Sequence, residues 1–165
     1  MGLDKNLNIV KATKADTNEI MKLYDDNRFG PADWDEGYPG IETIEFDLVR
    51  DALFVCKNEK GEILATVSLD EDDEVDDLPN WNPDLMPMGE VSRLCVREDY
   101  RGHGLAKEMM KYACTEWKAR GMKGIHILVR KGHPVARRAY EAVGYTMAGE
   151  CVYAEKEFDC MEIAL

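Results

Sequence analysis

A short glycine-containing turn is the sharpest chemical feature of the sequence. Arg101-Gly102-His103-Gly104-Leu105-Ala106 follows an apolar segment predicted as a strand and leads directly into a predicted helix. The first amides of a helix lack intrahelical acceptors and carry the positive end of the helix dipole, so they bind phosphate where small residues let it approach. The turn therefore predicts a cradle for a diphosphate, with an ordinary tight turn as the alternative.

The distribution of charge supports an anion site around this turn. Residues 91–140 contain 12 Lys/Arg and 4 Asp/Glu, whereas residues 1–90 contain 8 and 23, in a chain of net charge −12. A basic island in an acidic protein favours a polyanionic small ligand, although solvated helix faces would give the same pattern. The net charge argues against general nucleic-acid binding, which needs a basic footprint.

The turn and its surroundings resemble the GNAT superfamily of acetyltransferases. Arg101-x-x-Gly104-x-Ala106 is similar to the family's (Q/R)-x-x-G-x-(G/A) signature for acetyl-CoA. Its spacing is neither that of a dinucleotide-binding motif nor that of a P-loop. The segment PVARRAYEAVGY (134–145) falls in the family's order and spacing, and WDEGYP (34–39) resembles a segment of small bacterial members. The resemblance spans nearly the whole chain.

This resemblance implies a fold and a cosubstrate. The implied fold is of the α+β class (an α/β sandwich), with a mixed, mostly antiparallel central sheet flanked by helices. The implied cosubstrate is acetyl-CoA, with its pantetheine arm on the backbone of a strand and its diphosphate on the turn. The residues assigned to it in this way are Leu94, Cys95, Val96, Arg101, Gly102, His103, Gly104, Leu105, Ala106, Lys107 and His133.

Three of these assignments have alternatives. His133 stands where the family usually has Asn, and a ring nitrogen replaces one amide contact but not the whole geometry. The side chains of Leu94 and Val96 are expected to pack in the core, which is compatible with a role for their backbones. Cys95 is expected to be a small apolar filler, with a reactive thiol as the alternative.

Acetyl transfer to an amine requires two proton transfers. Deprotonating a lysine-like amine of pKa about 10.4 at pH 7 costs roughly 4.6 kcal/mol, so a base or a water relay must accept the proton. The resemblance implies Glu90 as the base and Tyr140 as the acid that protonates the departing thiolate. The alternatives are a solvent-facing residue at a strand start for Glu90 and a packed tyrosine for Tyr140.

Hydrophobic periodicity and turn residues predict the elements that position these residues. Helices are predicted from Asp16 to about Asn27 and over residues 42–50, 104–120 and 134–143, and strands around Ile9 and over residues 53–57, 62–69, 90–96, 123–129, 145–153 and 158–164. Asp16 and Glu19 have the spacing of a capping box. The segment from Phe29 to Gly40, which includes Pro31, and the acidic segment 70–89 are predicted as loops.

Length and composition predict one domain over residues 1–165, located in the cytoplasm. The chain has 165 residues and 45% apolar content, which is enough to bury a core. It has no apolar run of membrane-spanning length, and its start lacks the features of a signal peptide. Five cysteines without CxxC spacing favour reduced, mostly buried thiols. No metal is expected, because His103 and His126 have no metal-ligand partners near them in sequence.

The sequence therefore favours an N-acetyltransferase that moves acetyl from acetyl-CoA directly to a primary amine. A small cationic amine is the expected acceptor, because residues 1–90 are so acidic. The alternative is a non-catalytic GNAT-fold module that binds or senses acyl-CoA. Leu128 stands where members that acetylate ribosomal-protein N-termini carry a glutamate. This difference argues against a ribosomal-protein N-terminus as the acceptor. The expected partners are acetyl-CoA and the amine, without nucleic acid or membrane, and a homodimer stays open.

Overall fold

A seven-stranded sheet is the framework of the computed structural model of the protein, which describes residues 7–29 and 34–165. Its strands are β1 (Asn8–Lys11), β2 (Leu53–Lys57), β3 (Ile63–Asp70), β4 (Met88–Val96), β5 (Gly124–Arg130), β6 (Thr146–Tyr153) and β7 (Lys156–Ala164). They follow one another across the sheet in the order β1-β2-β3-β4-β5-β7-β6. The β1–β2, β2–β3, β5–β7 and β6–β7 pairs are antiparallel, and β4 pairs with β5 in parallel. The predicted fold class, a mixed and mostly antiparallel sheet flanked by helices, is confirmed.

The helices of the described residues are α1 (Thr17–Arg28), α2 (Ile41–Val49), α3 (Asp73–Asp76), α4 (Leu105–Ala119) and α5 (Pro134–Val143). All except α3 lie close to their predicted positions. Of the loop predicted from Phe29 to Gly40, residues 30–33, and with them Pro31, lie outside the described residues. Among the described helices, none combines the length and the apolar character needed to cross a bilayer.

The described residues divide into two compact units that are interleaved in sequence. The first takes the chain as far as Ser68 and then Arg93–Met109, and the second takes Leu69–Ser92 and Met110–Leu165. In the first unit α1, α2 and the neighbouring strands enclose an apolar core. Its buried residues are Ala12, Ile20, Leu23, Tyr24, Ile44, Leu53, Val55, Ile63 and Cys95.

A buried ion pair crosses the first unit. Asp47 of α2 is fully buried and receives two hydrogen bonds from Arg93 of β4, Nε to Oδ2 at 3.0 Å and Nη2 to Oδ1 at 2.8 Å. The Ser68 hydroxyl and Nη2 of Arg50 also donate to this carboxylate, at 2.8 and 2.7 Å. Nη1 of Arg93 donates to the Tyr38 hydroxyl at 3.0 Å. The carboxylate is therefore satisfied by four donors, as a buried charge must be.

The second unit has a smaller core beneath the acidic segment. Its buried members are Val75, Trp81, Met88 and Cys160. Val75 belongs to α3, and the indole Nε1 of Trp81 donates to the Val75 carbonyl at 2.7 Å. The acidic segment is thus attached to this unit through its apolar residues.

Two local predictions are wrong. Asp16 does not cap α1 with Glu19, because its carboxylate accepts from the Thr13 amide at 2.8 Å and pairs with Lys57 at 2.8 Å, while Glu19 accepts from the Ile63 amide. The segment 70–89 is not wholly irregular, because Asp72 accepts from the amides of residues 74 and 75 and so starts the short helix α3.

All five cysteines are free thiols, as predicted. Cys56, Cys95 and Cys160 are buried, whereas Cys114 and Cys151 are partly exposed.

We expect Asp47→Asn to lower the free energy of unfolding by about 3–5 kcal/mol, because it leaves the Arg93 guanidinium buried without its counter-charge. Urea denaturation followed by circular dichroism measures the loss. Asp51→Asn is the matched control, since Asp51 is exposed and its pair with Lys11, at 3.4 Å, should contribute less than about 1 kcal/mol. Equal losses in the two variants would show that the buried pair is not a special source of stability.

Candidate active site

The glycine turn that precedes α4 leaves its backbone open to a ligand. Gly102 and Gly104 have φ angles of +78° and +85°, a backbone region that residues with side chains rarely adopt. No atom lies within 4 Å of where a Cβ would stand at either position. The sequence uses glycine here for its conformation and for the free space above the backbone.

The first turn of α4 has the backbone donors that the predicted cradle requires. The amide of Glu108 is bonded to the carbonyl of Gly104 at 3.2 Å, so the amides of residues 105–107 precede the helical bonding pattern. Leu105 is buried and anchors the turn, while the side chains of His103 and Lys107 are exposed. Amides at a helix start, open glycines and a lysine fit a diphosphate.

Arg101 fixes the entry to the turn. Its Nη2 donates to Oδ1 of the buried Asn27 at 2.9 Å, and its Nε donates to the Val96 carbonyl at 3.2 Å. The positive charge of Arg101 therefore stays close to the cradle, while its donors tie the turn to α1 and to the end of β4.

The strand residues before the turn are packed as expected. Leu94 is half-buried, and Cys95 and Val96 are buried. Burial raises the pKa of the Cys95 thiol to about 12, and its Sγ lies 3.1 Å from the Thr66 hydroxyl. Cys95 is thus protonated at neutral pH, which argues against the reactive-thiol alternative.

Glu90 lies inside β4 rather than at its first residue, because the strand begins two residues earlier, at Met88. Its side chain is half-buried, and its Oε2 atom is shielded from solvent. Its carbonyl accepts from the indole Nε1 of Trp117 at 3.0 Å. That indole covers Gly89, where a Cβ would stand 2.3 Å from the ring. The backbone at Glu90 is therefore held by close packing.

The acidic segment lies beside Glu90 within the second unit. Tyr153 donates its hydroxyl proton to Oδ2 of Asp72 at 2.9 Å. This hydrogen bond, burial and the negative charges of Asp72, Glu74 and Glu90 raise the pKa of Tyr153 to about 12. A contact of the same segment leads to Glu90, because Asp76 contacts His126, which is the register partner of Glu90.

Tyr140 and His133 lie on α5 and at its start. Tyr140 is half-buried, its ring packs edge-on against Tyr145 at a centroid distance of 5.4 Å, and burial raises its pKa to about 12. It is therefore a neutral phenol at pH 7, as a proton donor must be. His133 is half-buried and is the residue before the first turn of α5. Gly144 ends the helix with a φ angle of +118°.

The candidate residues are divided between the two units. The first unit contains the glycine turn, the strand residues 94–96 and Arg101, and the second contains Glu90, Tyr140 and His133. Within the first unit Arg101 contacts Val96.

Sequence reasoning missed the pair of Asp47 with Arg93 and the contact of Arg93 with Tyr38. A signal was present, because Arg93 in VSRLCV and Asp47 in IEFDLV each stand next to apolar residues in a predicted strand and a predicted helix. Charged side chains at positions where periodicity demands burial are expected to be paired. Which partner each takes depends on contacts between residues far apart in sequence.

Comparison with known proteins identifies the type of domain. A family model for the acetyltransferase (GNAT) family matches residues 17–145. No curated protein sequence matches the chain significantly.

Solved structures share the fold at low sequence identity. An acetyltransferase of the GNAT family from Streptococcus agalactiae is 15% identical with a TM-score of 0.81, over 98% of this chain and 96% of that chain. Ribosomal-protein-alanine N-acetyltransferase from Brucella melitensis is 18% identical with a TM-score of 0.76, over 96% and 99%. The protein yncA from Salmonella typhimurium, solved with its cofactor acetyl-CoA, is 17% identical with a TM-score of 0.74, over 98% and 95%.

We expect Gly104→Val to weaken binding of CoA by about 100-fold, because a branched side chain at positive φ displaces the amides and fills the open space; the loss corresponds to about 2.7 kcal/mol. Isothermal titration calorimetry measures it. Gly61→Val is the matched control, since Gly61 also has a φ angle of +80° with open space around it, but lies in the turn between β2 and β3. An unchanged affinity in a folded Gly104→Val protein would remove the turn from the cofactor site.

Proposed function

The chain belongs to the acetyltransferase (GNAT) family and is an acyltransferase, and from that premise we propose that it transfers acetyl from acetyl-CoA to the primary amine of a small cationic acceptor. The carrying observation is the placement of the acidic segment beside Glu90. Asp76 of this segment contacts His126, the register partner of Glu90, and seven of the eight residues 70–77 are acidic.

Acetyl-CoA supplies an activated acetyl group as a thioester. The amides of residues 105–107 and the Lys107 side chain would hold its diphosphate, and the backbone of Leu94 to Val96 would hold its pantetheine arm. Support comes from the open glycines of the turn and from the Salmonella typhimurium relative in fold, which was solved with acetyl-CoA.

Glu90 is the proposed base. A carboxylate must accept a proton from the acceptor ammonium or from a water that relays it, so that the amine nitrogen has a lone pair for attack on the thioester carbonyl. Trp117 fixes the backbone at this position through its 3.0 Å hydrogen bond to the Glu90 carbonyl. The carboxylate is partly shielded from water, where interactions between charges are stronger.

Tyr140 is the proposed acid. With a pKa raised to about 12 by burial, its phenol is protonated over the whole neutral range and is able to protonate the departing thiolate. Nothing in this scheme requires a covalent intermediate on the protein, because the amine attacks the acetyl group directly. The raised pKa also means that the acid form persists until the pH approaches about 12.

A cationic acceptor is supported by the segment of residues 70–77, in which seven of eight residues are acidic. The segment is anchored through Val75, which packs with Trp81 in the core of the unit that contains Glu90. A field of this sign raises the local concentration of cations and repels anions.

An amine panel tests the proposal. Thiol release from acetyl-CoA should be fastest with small di- and polyamines, and the Michaelis constant for the best of them should rise several-fold from low to physiological salt, where the screening length falls to about 8 Å. The constant for acetyl-CoA, held by directional amide bonds, should change less. A neutral or anionic acceptor that outperforms every cationic one would refute the cationic class. Absence of thiol release with all amines would refute turnover itself.

We expect Glu90→Gln to lower kcat by about 100-fold at neutral pH and to regain activity as pH rises, because an amine that is already deprotonated needs no base. Stopped-time assays from pH 6.5 to 10 measure the profile. Glu74→Gln removes the same charge from an exposed position and should leave the shape of the profile unchanged. A Glu90→Gln profile parallel to that of the unmodified protein would remove Glu90 from the mechanism.

A further inference from the structure

A buried histidine and a carboxylate form a pair next to Glu90. His126 of β5 is fully buried, and its Nε2 is in hydrogen-bond contact with Oδ1 of Asp76. The indole of Trp81 stacks on the imidazole with a centroid distance of 4.8 Å and an interplanar angle of 14°. The ring is therefore held in one orientation by a carboxylate at one nitrogen and by an aromatic plane on its face.

The second ring nitrogen of His126, Nδ1, has different surroundings from Nε2. Its Nδ1 is buried and has no hydrogen-bond partner among the described residues. Because an ionised carboxylate only accepts, Nε2 of a neutral ring carries the proton towards Asp76, and Nδ1 then carries a lone pair. A buried polar atom in this state requires an explanation.

The strand register places Glu90 next to His126 on the neighbouring strand. Glu90 of β4 is the register partner of His126 across the parallel pair, and Glu162 of β7 is its partner on the other side. Register partners point to the same face of a sheet, and neighbouring strands lie about 4.8 Å apart. The charged groups that face His126 are therefore Glu90, Glu162 and, from the acidic segment, Asp76.

We propose that His126 and Asp76 are positioning residues for Glu90, and that Nδ1 of His126 receives the proton that Glu90 takes from the acceptor amine. This inference rests on the proposed role of Glu90. An N–H bond of the ammonium breaks as an O–H bond forms on Glu90. That O–H bond then breaks as Nδ1–H forms, and Glu90 becomes a carboxylate again.

Asp76 favours proton transfer from Glu90 to His126. The imidazolium keeps its Nε2–H bond towards Asp76, whose negative charge stabilises the positive ring, in the way that a carboxylate supports a histidine base. After the product leaves, the Nδ1–H bond breaks as an O–H bond forms again on Glu90, and the half-buried Glu90 releases that proton to water, so that the ring returns to the neutral form. The Asp76 side chain is 39% exposed, so the pair reaches the surface of the unit.

Contacts other than that of Asp76 also hold the acidic segment in place. A substitution of Asp76 is therefore expected to change its contact with His126 without detaching the segment. The Trp81 indole donates a hydrogen bond to the Val75 carbonyl at 2.7 Å, and the Tyr153 hydroxyl donates one to the Asp72 carboxylate at 2.9 Å. Asp76→Asn preserves the shape of the side chain and leaves both contacts in place. Asp77→Asn is the matched control, since Asp77 is an exposed acid in the next position.

The experiment measures kcat against pH for the best amine. Asp76→Asn and His126→Gln should lower kcat about tenfold at neutral pH, recover as pH rises and leave the Michaelis constant for acetyl-CoA unchanged, while Asp77→Asn stays within about twofold of the unmodified protein. Thermal melts confirm that each variant is folded. Unchanged kcat in folded Asp76→Asn overturns the inference, as does a loss of the same size at every pH.

A double variant separates this inference from the role of Glu90. If His126 acts through Glu90, Asp76→Asn should cause no further loss in a Glu90→Gln background, whereas multiplied losses would overturn the inference. If the Glu90→Gln variant keeps full activity, the proposed base is refuted. If Glu90→Gln is slowed but Asp76→Asn is not, only the role of the His126–Asp76 pair is refuted.

Nitrogen-15 NMR of the resting protein gives an independent readout, with the His126 proton expected on Nε2. A proton found on Nδ1 would overturn the inference whatever the kinetics show.

Discussion

The buried pair of Asp47 and Arg93 is the interaction on which the architecture of the first unit depends. A carboxylate and a guanidinium lose their hydration when they are buried, and only close hydrogen bonding offsets that loss. Here the bonding partners come from α2, from β3 and from the loop that carries Tyr38. Arg93 adopts a φ angle of +49°, so β4 departs from regular strand geometry where this charge is satisfied. The requirement to neutralise one charge thus joins a helix, two strands and a loop.

The elements with strong patterns could be predicted from the sequence, and so could the open glycine turn before α4. β2 and α5 have the predicted bounds, because the short apolar run of β2 and the Pro134 start of α5 with its Gly144 stop are local signals. The turn before α4 was identified from its glycines and from a motif that combines local geometry with ligand approach. The family and the fold followed from it and are confirmed.

What could not be predicted depends on partners distant in sequence. The acidic segment gave no helical pattern, because α3 is only four residues long and starts from a single Asp72 cap. The pairing of His126 with Asp76 could not be predicted, because Asp76 lies 50 residues away in sequence and no local pattern links the two. Asp16 took Thr13 and Lys57 as partners instead of capping α1, since a charged partner on β2 competes with the helix start. The sequence shows which side chains are polar, but it does not show which other side chain each of them pairs with in the folded protein.

The contact between Gly89 and Trp117 restricts how the protein can evolve. Every other amino acid at position 89 would place an atom 2.3 Å from the indole, so that position tolerates a side chain only if the tryptophan is exchanged for something smaller. Such an exchange also removes the indole donor that holds the Glu90 carbonyl. The two positions should therefore drift together or not at all among descendants of this sequence. Lineages that have changed one without the other are the natural place to look for loss of the original chemistry.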